Sequence, residues 1–462
     1  MIQTSAIFLF LNYCLGKKVD MSMVVAKIDW RQLYNFASRQ ALLGFCFEGI
    51  ERLTKEFSEE LKQNPMGRDL LMTWMGAAQQ IRRQNMKVNA VAGKLYSKFR
   101  EDGLRCCILK GQGNALMYPN PYSRTPGDID VWVNASREQI TEYAKKHFEL
   151  GDDIRYHHLE TSLDGVPVEL HFFPCTMNNP IYHARLQKWF RRNVDLQCSH
   201  IVGLPDGAGD IAIPTTAFNV IYQLTHLYHH FFDEGIGMRQ IIDYFLVVND
   251  FSKNVFLNYD FSNHPVNFSN HPVPLSKEGS TFSPSPSSSG SGDVTAPSRC
   301  SEPLRSKDGG PSKVSPDCAG WDRRDTTGDI ASDASVSSAS TTDPSASTAL
   351  DVVQRELKYL GLWKFAGAVM YVQHEALGLS EEKMIVPMDE KRGKLLLEEI
   401  LNGGNFGKHF TKYGHFTQQG MAKKYFLKIW RNMHFVRYYP AEALSEPIFR
   451  TWHFFWRMKN KK

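Results

Sequence analysis

The chain has 462 residues, of which 42% are hydrophobic and 22% are charged. This length can bury a sizeable core and form more than one compact part, and the composition is ordinary for a soluble globular protein. The formal net charge of +5 is too small over this length to indicate nucleic-acid binding by itself. The eight cysteines include no CxxC pair, which gives no support to a zinc ribbon or a thioredoxin-like motif. Buried free thiols in a reducing compartment are expected instead.

Residues 1–100 are predicted to be helical. Apolar side chains recur near helical spacing over residues 30–53 and again over residues 70–99. An apolar run at residues 7–15 is broken by polar residues, follows no basic residue and is too short to cross a bilayer. We therefore expect a short core helix there and not a signal peptide. Because no other stretch is long enough to span a membrane, a cytoplasmic protein is expected.

Near residue 104 the long helical pattern gives way to shorter elements. The predicted elements are, in chain order, a strand at 106–109, a helix at 114–118, a strand at 128–133, a helix at 138–148 with Ser136 as its N-cap, and strands at 155–163 and 166–173. Asp164-Gly165 between the last two strands is a strong signal for a β-hairpin. A proline-rich loop is predicted immediately before the strand that begins at Asp128.

The second half of the chain alternates between helical and low-complexity sequence. Residues 252–348 are rich in Ser, Pro, Gly, Asp and Thr, and such a segment cannot bury enough apolar surface to offset the entropy lost on ordering. We therefore predict a disordered insertion. The remaining helices are predicted at 215–231, 238–248, 352–370, 390–401 and 421–462, the last being aromatic, basic and interrupted at Pro440.

Asp128 and Asp130 are the centre of the predicted functional site. Residues two apart on a strand share a face, so the two carboxylates point the same way while the apolar residues between and after them point into a core. On the second hairpin strand, Glu169 and His171 share a face by the same rule. If the two strands are neighbours, three carboxylates converge, and their mutual repulsion predicts a bound cation. Mg²⁺ (or Mn²⁺) is favoured because it prefers carboxylate and phosphate oxygen.

A phosphate-binding turn is predicted upstream of these carboxylates. Lys110, Gly111 and Gln112 join a strand to a helix, where glycine lets the backbone approach a phosphate and the helix N-terminus favours an anion. Lys110 and Arg124 can each neutralise phosphate charge. Taken alone, a DxD pair or a glycine-rich turn usually has a structural role. The order of strand, turn, helix, DxD strand and later carboxylate is more informative, and three carboxylates can hold two metals for an in-line displacement at phosphorus.

These motifs resemble the uncharacterised nucleotidyltransferase family of bacteria. The resemblance rests on a Lys-Gly turn at residues 108–111, a Tyr-Pro pair at 118–119, an Arg-x-x-x-Asp-x-Asp stretch at 124–130 and a later Glu-x-His at 169–171. It covers roughly residues 25–250 and resumes near residues 438–442. The family belongs to the superfamily that contains DNA polymerase beta, poly(A) polymerases and aminoglycoside nucleotidyltransferases.

The resemblance implies roles for individual residues. Asp128 and Asp130 would bind the metals, and Glu169 would be the third ligand or would activate the acceptor hydroxyl. Gly111 would lie against the triphosphate. Most superfamily members have Gly-Ser at this turn with the aspartates soon after, whereas Gln112 follows the glycine in this chain and a long proline-rich loop precedes Asp128.

The implied fold is α+β, with a small mixed β-sheet of nucleotidyltransferase type, N- and C-terminal helical regions and a disordered insertion. The predicted parts are an N-terminal helical region at 1–100, a catalytic core at 101–205, a helical region on the core at 206–251, the insertion at 252–348 and a C-terminal helical region at 349–462. The implied reaction moves a nucleoside monophosphate from an NTP to an acceptor hydroxyl and releases pyrophosphate.

Several aspects of the function stay open at the level of sequence. The acceptor can be a sugar, another small molecule, a protein or an RNA, and the preferred NTP depends on the shape of a pocket. One alternative is a non-catalytic nucleotide- or partner-binding protein with the same fold. Another is an antitoxin-like enzyme that nucleotidylates a partner protein.

Histidines outside the central motif are weaker candidates. His158 and Glu160 share a face of the first hairpin strand, with His157 on the other face. One of these residues could reach the site and bind phosphate or the acceptor, but a solvated strand face is favoured. His226 and His230 lie four apart on a helix, but a zinc site needs a third ligand and no HExxH pattern is present.

Charged residues elsewhere have simpler interpretations. Arg239 and Asp243 lie at i and i+4 and are expected to pair on their helix. Basic and aromatic residues between 423 and 457 are consistent with RNA binding. Their helical spacing fits core packing equally well, so a nucleic-acid partner is not favoured.

Overall fold

A five-stranded mixed β-sheet forms the centre of the fold, and helices precede and follow it along the chain. The computed structural model describes residues 2–256, 348–410 and 421–460. The strands are β1 Cys106–Leu109, β2 Ile129–Val133, β3 Glu149–Ile154, β4 His158–Leu163, β5 Val166–His171, β6 Ile201–Gly203 and β7 Asp210–Ala212. The strand order β1-β2-β5-β4-β3 gives the main sheet, and β6 and β7 pair separately.

Helices of 4 to 34 residues make up most of the remaining described chain. Before and within the sheet region they are α1 Ile2–Cys14, α2 Ser22–Val25, α3 Trp30–Arg39, α4 Leu43–Glu56, α5 Ser58–Gln63, α6 Arg68–Glu101, α7 Gly111–Ala115, α8 Arg137–His147 and α9 Pro180–Gln197. After it they are α10 Thr216–Asp233, α11 Met238–Phe256, α12 Ala349–Tyr359, α13 Trp363–Leu377, α14 Glu390–Gly403, α15 Met421–Met433 and α16 Pro440–Asn460. The predicted α+β class with a small mixed sheet is therefore confirmed.

Local sequence signals placed most elements well. The strand at 106–109 is confirmed, and Ser136 caps α8 through a capping box with Gln139. The Asp-Gly hairpin is also confirmed, with Asp164 at φ 50° and Gly165 at φ 70°, as a two-residue turn between β4 and β5 requires. The sequence patterns did not predict the strands β3, β6 and β7. The last two have only three residues each.

Several predicted element boundaries are wrong, including that of β4, which begins at His158 and not at residue 155. The short helix α7 spans Gly111–Ala115 rather than 114–118, so it begins directly after Lys110. The helix predicted at 352–370 is two helices, because the chain turns at Gly361 with φ +73°. The predicted insertion at 252–348 lies outside the described residues except at its two edges, where α11 continues to Phe256 and Thr348 caps α12.

Strand alternation divides the main sheet between two cores. Ile129, Val131 and Val133 pack on one face with apolar residues of α6, α8 and β5. Trp132 points to the other face, where its ring packs against Phe190 and Phe218 of α9 and α10. The expected burial of the apolar DxD neighbours is therefore confirmed, and Asp130 must lie on the face that α10 covers.

The C-terminal helices pack onto the same unit as the sheet. Residues 2–256, 348–410 and 421–460 all belong to one compact unit. Glu442, in the first turn of α16, accepts hydrogen bonds from the backbone N–H groups of Asn178 (2.6 Å) and Asn179 (3.2 Å), just before α9. The predicted interruption of the C-terminal helix is confirmed, since α15 ends at Met433 and α16 begins at Pro440.

The cysteines and the apolar helices of the described ranges bear on the expectations from composition. The six cysteines within those ranges are all buried and free, as expected, whereas Cys300 and Cys318 lie outside them. Among the helices of residues 2–256, 348–410 and 421–460, none is both long and apolar enough to cross a bilayer.

Close packing of α6 against the β6–β7 loop gives a testable prediction. A Cβ at Gly93 would lie 2.0 Å from the carbonyl oxygen of Ala208, whereas a Cβ at Gly76 of the same helix meets no atom within 4 Å. We expect Gly93→Ala to lower the free energy of unfolding by about 1–3 kcal/mol. Gly76→Ala is the matched control and should raise it by about 0.5–1 kcal/mol, because alanine is the better helix former. Urea titration of both variants measures this, and equal stability of the two would refute the close approach.

Candidate active site

The register of three strands brings polar side chains together on the face that α10 covers. β2 and β5 pair in parallel with Asp130 opposite Glu169, and β4 and β5 pair antiparallel with Glu160 opposite Glu169. Two residues farther along β5, His171 lies opposite His158 of β4. Residues two apart on a strand share a face, so a row of three carboxylates lies beside a pair of imidazoles. β2 and β5 are thus neighbours, which is the condition under which the carboxylates of Asp130 and Glu169 were expected to converge.

His171 connects the two carboxylates predicted to be at the centre of the site. Its Nε2 lies 3.0 Å from Oδ1 of Asp130 and 3.3 Å from Oε2 of Glu169. Burial alone would lower the pKa of His171, but the hydrogen bonds to the two carboxylates raise it to about 9. His171 is therefore an imidazolium at neutral pH and donates to Asp130.

Asp130 is the most enclosed of the predicted carboxylates, being only 4% exposed. Burial would raise its pKa, but Lys110 and His171 outweigh that effect and hold the pKa below its ordinary value. Burial and the charge of Asp130 would raise the pKa of Glu169, but the interactions with His171 and His158 together outweigh them and lower it. Both carboxylates are therefore ionised at neutral pH, in a position where an isolated charge would be costly.

Asp128 lies just before β2 and is exposed, where it lines the mouth of a cavity. The negative charge of Asp130 raises the pKa of Asp128 to about 6, and partial desolvation of the carboxyl group by the cavity wall is a further cause. Such repulsion between like charges is relieved by a cation. The strand predicted from residue 128 begins one residue later, at Ile129, and this leaves the Asp128 carboxylate at the edge of the site.

Lys110 extends from the end of β1 into the site. Its Nζ lies 3.1 Å from Oδ1 of Asp130 and 2.7 Å from Nε2 of His226, on α10. Burial would lower the pKa of Lys110, but Asp130, Asp128 and Glu169 raise it. The residue has φ 53° and ψ −125°, a conformation that costs a non-glycine residue energy and is found most often at functional sites.

The other predicted phosphate-binding residues have different positions. Gly111, with φ +28°, lines the cavity together with Lys110. Gln112 is 3% exposed and is not among the described residues that line the cavity. Arg124 borders the cavity, but its Nε and Nη2 donate to the two oxygens of Asp243 at 2.9 and 2.8 Å. The guanidinium fork is engaged by this buried pair, so a phosphate-binding role for Arg124 stays a prediction.

Arg239 approaches the same buried carboxylate. Its Nη1 lies 3.8 Å from Oδ2 of Asp243, which agrees with the expected i, i+4 pairing. The hydroxyl of Tyr118 donates to Asp243 Oδ1 at 2.7 Å. Asp243 thus fixes the loop before β2 to helix α11, and this positions the DxD segment at the cavity.

A cavity of about 540 Å³ lies above the carboxylates. This volume is within the range of small-molecule sites. Its described lining includes six imidazoles, those of His157, His158, His171, His226, His229 and His230. The expected solvated strand face is wrong for His158, which is 2% exposed. The placement of His157 on the opposite face is also wrong, because the chain bends at residues 156–157 before β4 begins.

The donor atoms present suit a divalent cation. Among the described residues, Asp130, Glu169 and His171 offer ligand atoms that all lie within 4.8 Å of one another. The carboxylates Asp128, Asp130 and Glu169 are the donors that a hard ion prefers. Of the predicted metal set, the structure thus brings Asp130 and Glu169 into one tight group and leaves Asp128 at the cavity mouth.

Two histidines of the site, His171 and His226, were not among the site residues predicted from the sequence. His171 was recognised as sharing a face with Glu169, and alternation along β5 was the signal that could have added it to the site. His226 contacts Lys110 from 116 residues away along the chain. No local pattern in the sequence indicates that contact, since it depends on how α10 packs over the sheet.

A family profile and a solved structure match parts of this chain. A crystal structure of an antigenic nucleotidyltransferase-like protein from Paracoccidioides brasiliensis is 16% identical, with a TM-score of 0.25, and the match covers 38% of this chain and 90% of that one. Among curated proteins no relative matches. The profile of the family described as uncharacterised nucleotidyltransferase matches residues 26–262, more than half of the 462 residues and the whole of the site-bearing sheet. The chain therefore belongs to the uncharacterised nucleotidyltransferase family.

Proposed function

We propose that this protein transfers a nucleoside monophosphate from an NTP to an acceptor hydroxyl. The acceptor oxygen forms a bond to the α-phosphorus, the bond from that phosphorus to the bridging oxygen breaks, and pyrophosphate leaves. The observation that carries the proposal is the convergence of Asp130, Glu169 and Lys110 beneath one cavity of about 540 Å³. Family membership supports the same reaction class.

Asp128, Asp130 and Glu169 are the residues that would hold divalent cations, Mg²⁺ or Mn²⁺. When bound, these ions would stabilise negative charge on the phosphoryl oxygens and on the leaving pyrophosphate. His171 keeps Asp130 and Glu169 ionised and fixes their orientation by its hydrogen bonds. Catalysis would thus rest on positioning and on charge stabilisation, with little covalent work by side chains.

Lys110 and the turn that follows it would receive the triphosphate. The partly buried side chain of Lys110 places its ammonium group beside Asp130, and Gly111 lines the cavity with no side chain to obstruct an approaching phosphate. The acceptor hydroxyl must lose a proton during the reaction, and Glu169 is the carboxylate that we assign to receive it. This assignment suits an ionised carboxylate at neutral pH.

Labelled-NTP transfer tests the proposal directly. The full chain is incubated with each of ATP, CTP, GTP and UTP, labelled at the α-phosphate, with Mg²⁺ or Mn²⁺ and with pools of sugars, RNA or co-purified protein. Label should appear on an acceptor and pyrophosphate should be released. The Asp128→Ala/Asp130→Ala variant should do neither, and equal transfer by this variant would show the site assignment to be wrong.

The same experiment separates the alternatives. NTP binding without pyrophosphate release, for every NTP and both metals, would identify a non-catalytic binding protein. Label on a co-purified protein, and none on sugars or RNA, would identify an antitoxin-like enzyme that nucleotidylates a partner.

A further inference from the structure

Three imidazoles lie together in the wall of the cavity, beside the carboxylates. One ring nitrogen from each of His157, His158 and His171 lies within 4.8 Å of the others. The ring centroids are 4.3 Å apart for His157 and His158, 5.0 Å for His158 and His171, and 5.6 Å for His157 and His171. Cross-strand pairing aligns His158 with His171, and the bend before β4 brings His157 to them. The cluster is thus built by the sheet.

Several nitrogens of this cluster are buried with no hydrogen bond to any described residue. His158 is 2% exposed and neither of its ring nitrogens makes a hydrogen bond, although Nδ1 lies 3.2 Å from Glu169 and Nε2 3.8 Å from Glu160. His171 is 3% exposed, and its Nδ1 likewise makes none. A buried polar nitrogen without a partner costs free energy, so this arrangement suits a ligand that binds nitrogen.

Nε2 of His171 contacts a carboxylate, which is the usual partner of the ring nitrogen that does not bind the metal in a metal-bound histidine. The Nε2–H group donates to Asp130 at 3.0 Å, and a metal ion binding at Nδ1 would displace the second proton of the imidazolium. A carboxylate on the far nitrogen fixes the ring orientation and raises the basicity of the ligand. His171 can therefore belong to the carboxylate group through one nitrogen and to an imidazole group through the other.

We propose that His157, His158 and His171 bind one transition-metal ion of the zinc(II) type in the cavity wall. Imidazole suits Zn²⁺ and its neighbours, whereas Mg²⁺ prefers oxygen, so this donor set differs from the one formed by the carboxylates. Three histidines also leave a coordination position open toward the cavity, as in catalytic zinc sites. This metal site goes beyond the proposed nucleotidyl transfer and can be tested without any NTP.

Cobalt(II) titration of the full chain provides the test. Protein purified without a histidine tag and stripped by a chelator is titrated with Co²⁺, followed by visible absorption, and then with Zn²⁺ in competition. We expect one equivalent of Co²⁺ with the intense bands of a four-coordinate site, displaced by one equivalent of Zn²⁺. His158→Gln should weaken Zn²⁺ binding by at least about 100-fold.

Matched variants separate this site from its surroundings. His230→Gln removes a cavity histidine outside the cluster, one whose Nε2 contacts His226, and should leave Zn²⁺ affinity unchanged. Asp128→Asn alters the carboxylate set and should also leave it unchanged. Lack of stoichiometric Zn²⁺ binding by the wild type, or equal affinity in His158→Gln, would overturn the proposal.

X-ray absorption of the wild-type zinc complex avoids dependence on any variant that fails to fold. The spectrum should show scattering from three imidazoles. Fewer than three would overturn the proposed ligand set. Because no nucleotide is present in these measurements, a negative result would leave the transferase proposal untouched, and an inactive transferase would leave the metal site untouched.

Discussion

Replacing Asp130 with asparagine should lower the rate of nucleotidyl transfer by about 1,000-fold or more. The substitution keeps the shape of the side chain and removes its negative charge. Asp130 is the carboxylate that contacts both Lys110 and His171, at 3.1 and 3.0 Å, and it lies opposite Glu169 in the parallel pair of strands. An amide offers a cation much weaker coordination, so charge stabilisation at the phosphoryl group would be lost.

The matched control for this experiment lies in the same row of side chains. Glu160 pairs with Glu169 from the opposite strand but is not in the proposed ligand set, so Glu160→Gln should retain transfer within about tenfold of wild type. Asp128→Asn is a second test at an exposed position, where the change should not affect folding. Rates are measured with the labelled-NTP assay and are normalised to folded protein by circular dichroism. Transfer by Asp130→Asn within tenfold of wild type would contradict the assignment.

The largest effect on stability is expected from Asp243→Asn. We expect the free energy of unfolding to fall by about 3–5 kcal/mol, because breaking a buried ion pair leaves an uncompensated charge. Asp243 is 5% exposed, holds Arg124 through two hydrogen bonds, and also accepts one from Tyr118. Arg239 lies 3.8 Å away, so the substitution removes the charge that two guanidinium groups face. Urea unfolding monitored by circular dichroism measures the change.

An exposed ion pair provides the control for this stability prediction. Glu390 and Lys394 pair on α14 with both side chains more than 60% exposed, so Glu390→Gln should cost less than about 1 kcal/mol. A loss below 1 kcal/mol in Asp243→Asn as well would refute the importance of the buried pair.

Arg124→Lys separates a structural from a nucleotide-binding role of Arg124. Lysine keeps the charge but cannot form the two-pronged contact with Asp243. If the arginine is structural, the variant should unfold at lower urea concentration while KM for the NTP changes little. A raised KM with unchanged unfolding would instead support the phosphate-binding role predicted from the sequence.

The sequence by itself determined which residues lie on each face of the central strands. Alternation along β2 and β5 sends Val131 and Leu170 into one core and Asp130 and Glu169 to the opposite face, and the Asp-Gly turn fixes the β4–β5 hairpin. These are local properties, because the strand period and the turn geometry depend on residues close together in the chain. For the same reason the Lys-Gly turn and the DxD pair could be recognised as family motifs.

Only the tertiary structure decided which of these residues meet. The parallel register of β2 and β5 places Asp130 opposite Glu169, and helix packing brings His226 to Lys110 and Asp243 to Arg124 across more than 100 residues. Such contacts depend on side-chain packing between distant segments, which no local periodicity encodes. The Asp128, Asp130 and Glu169 cluster predicted from sequence thus becomes, in the fold, a site in which Asp130 and Glu169 share His171 while Asp128 stands at the cavity mouth.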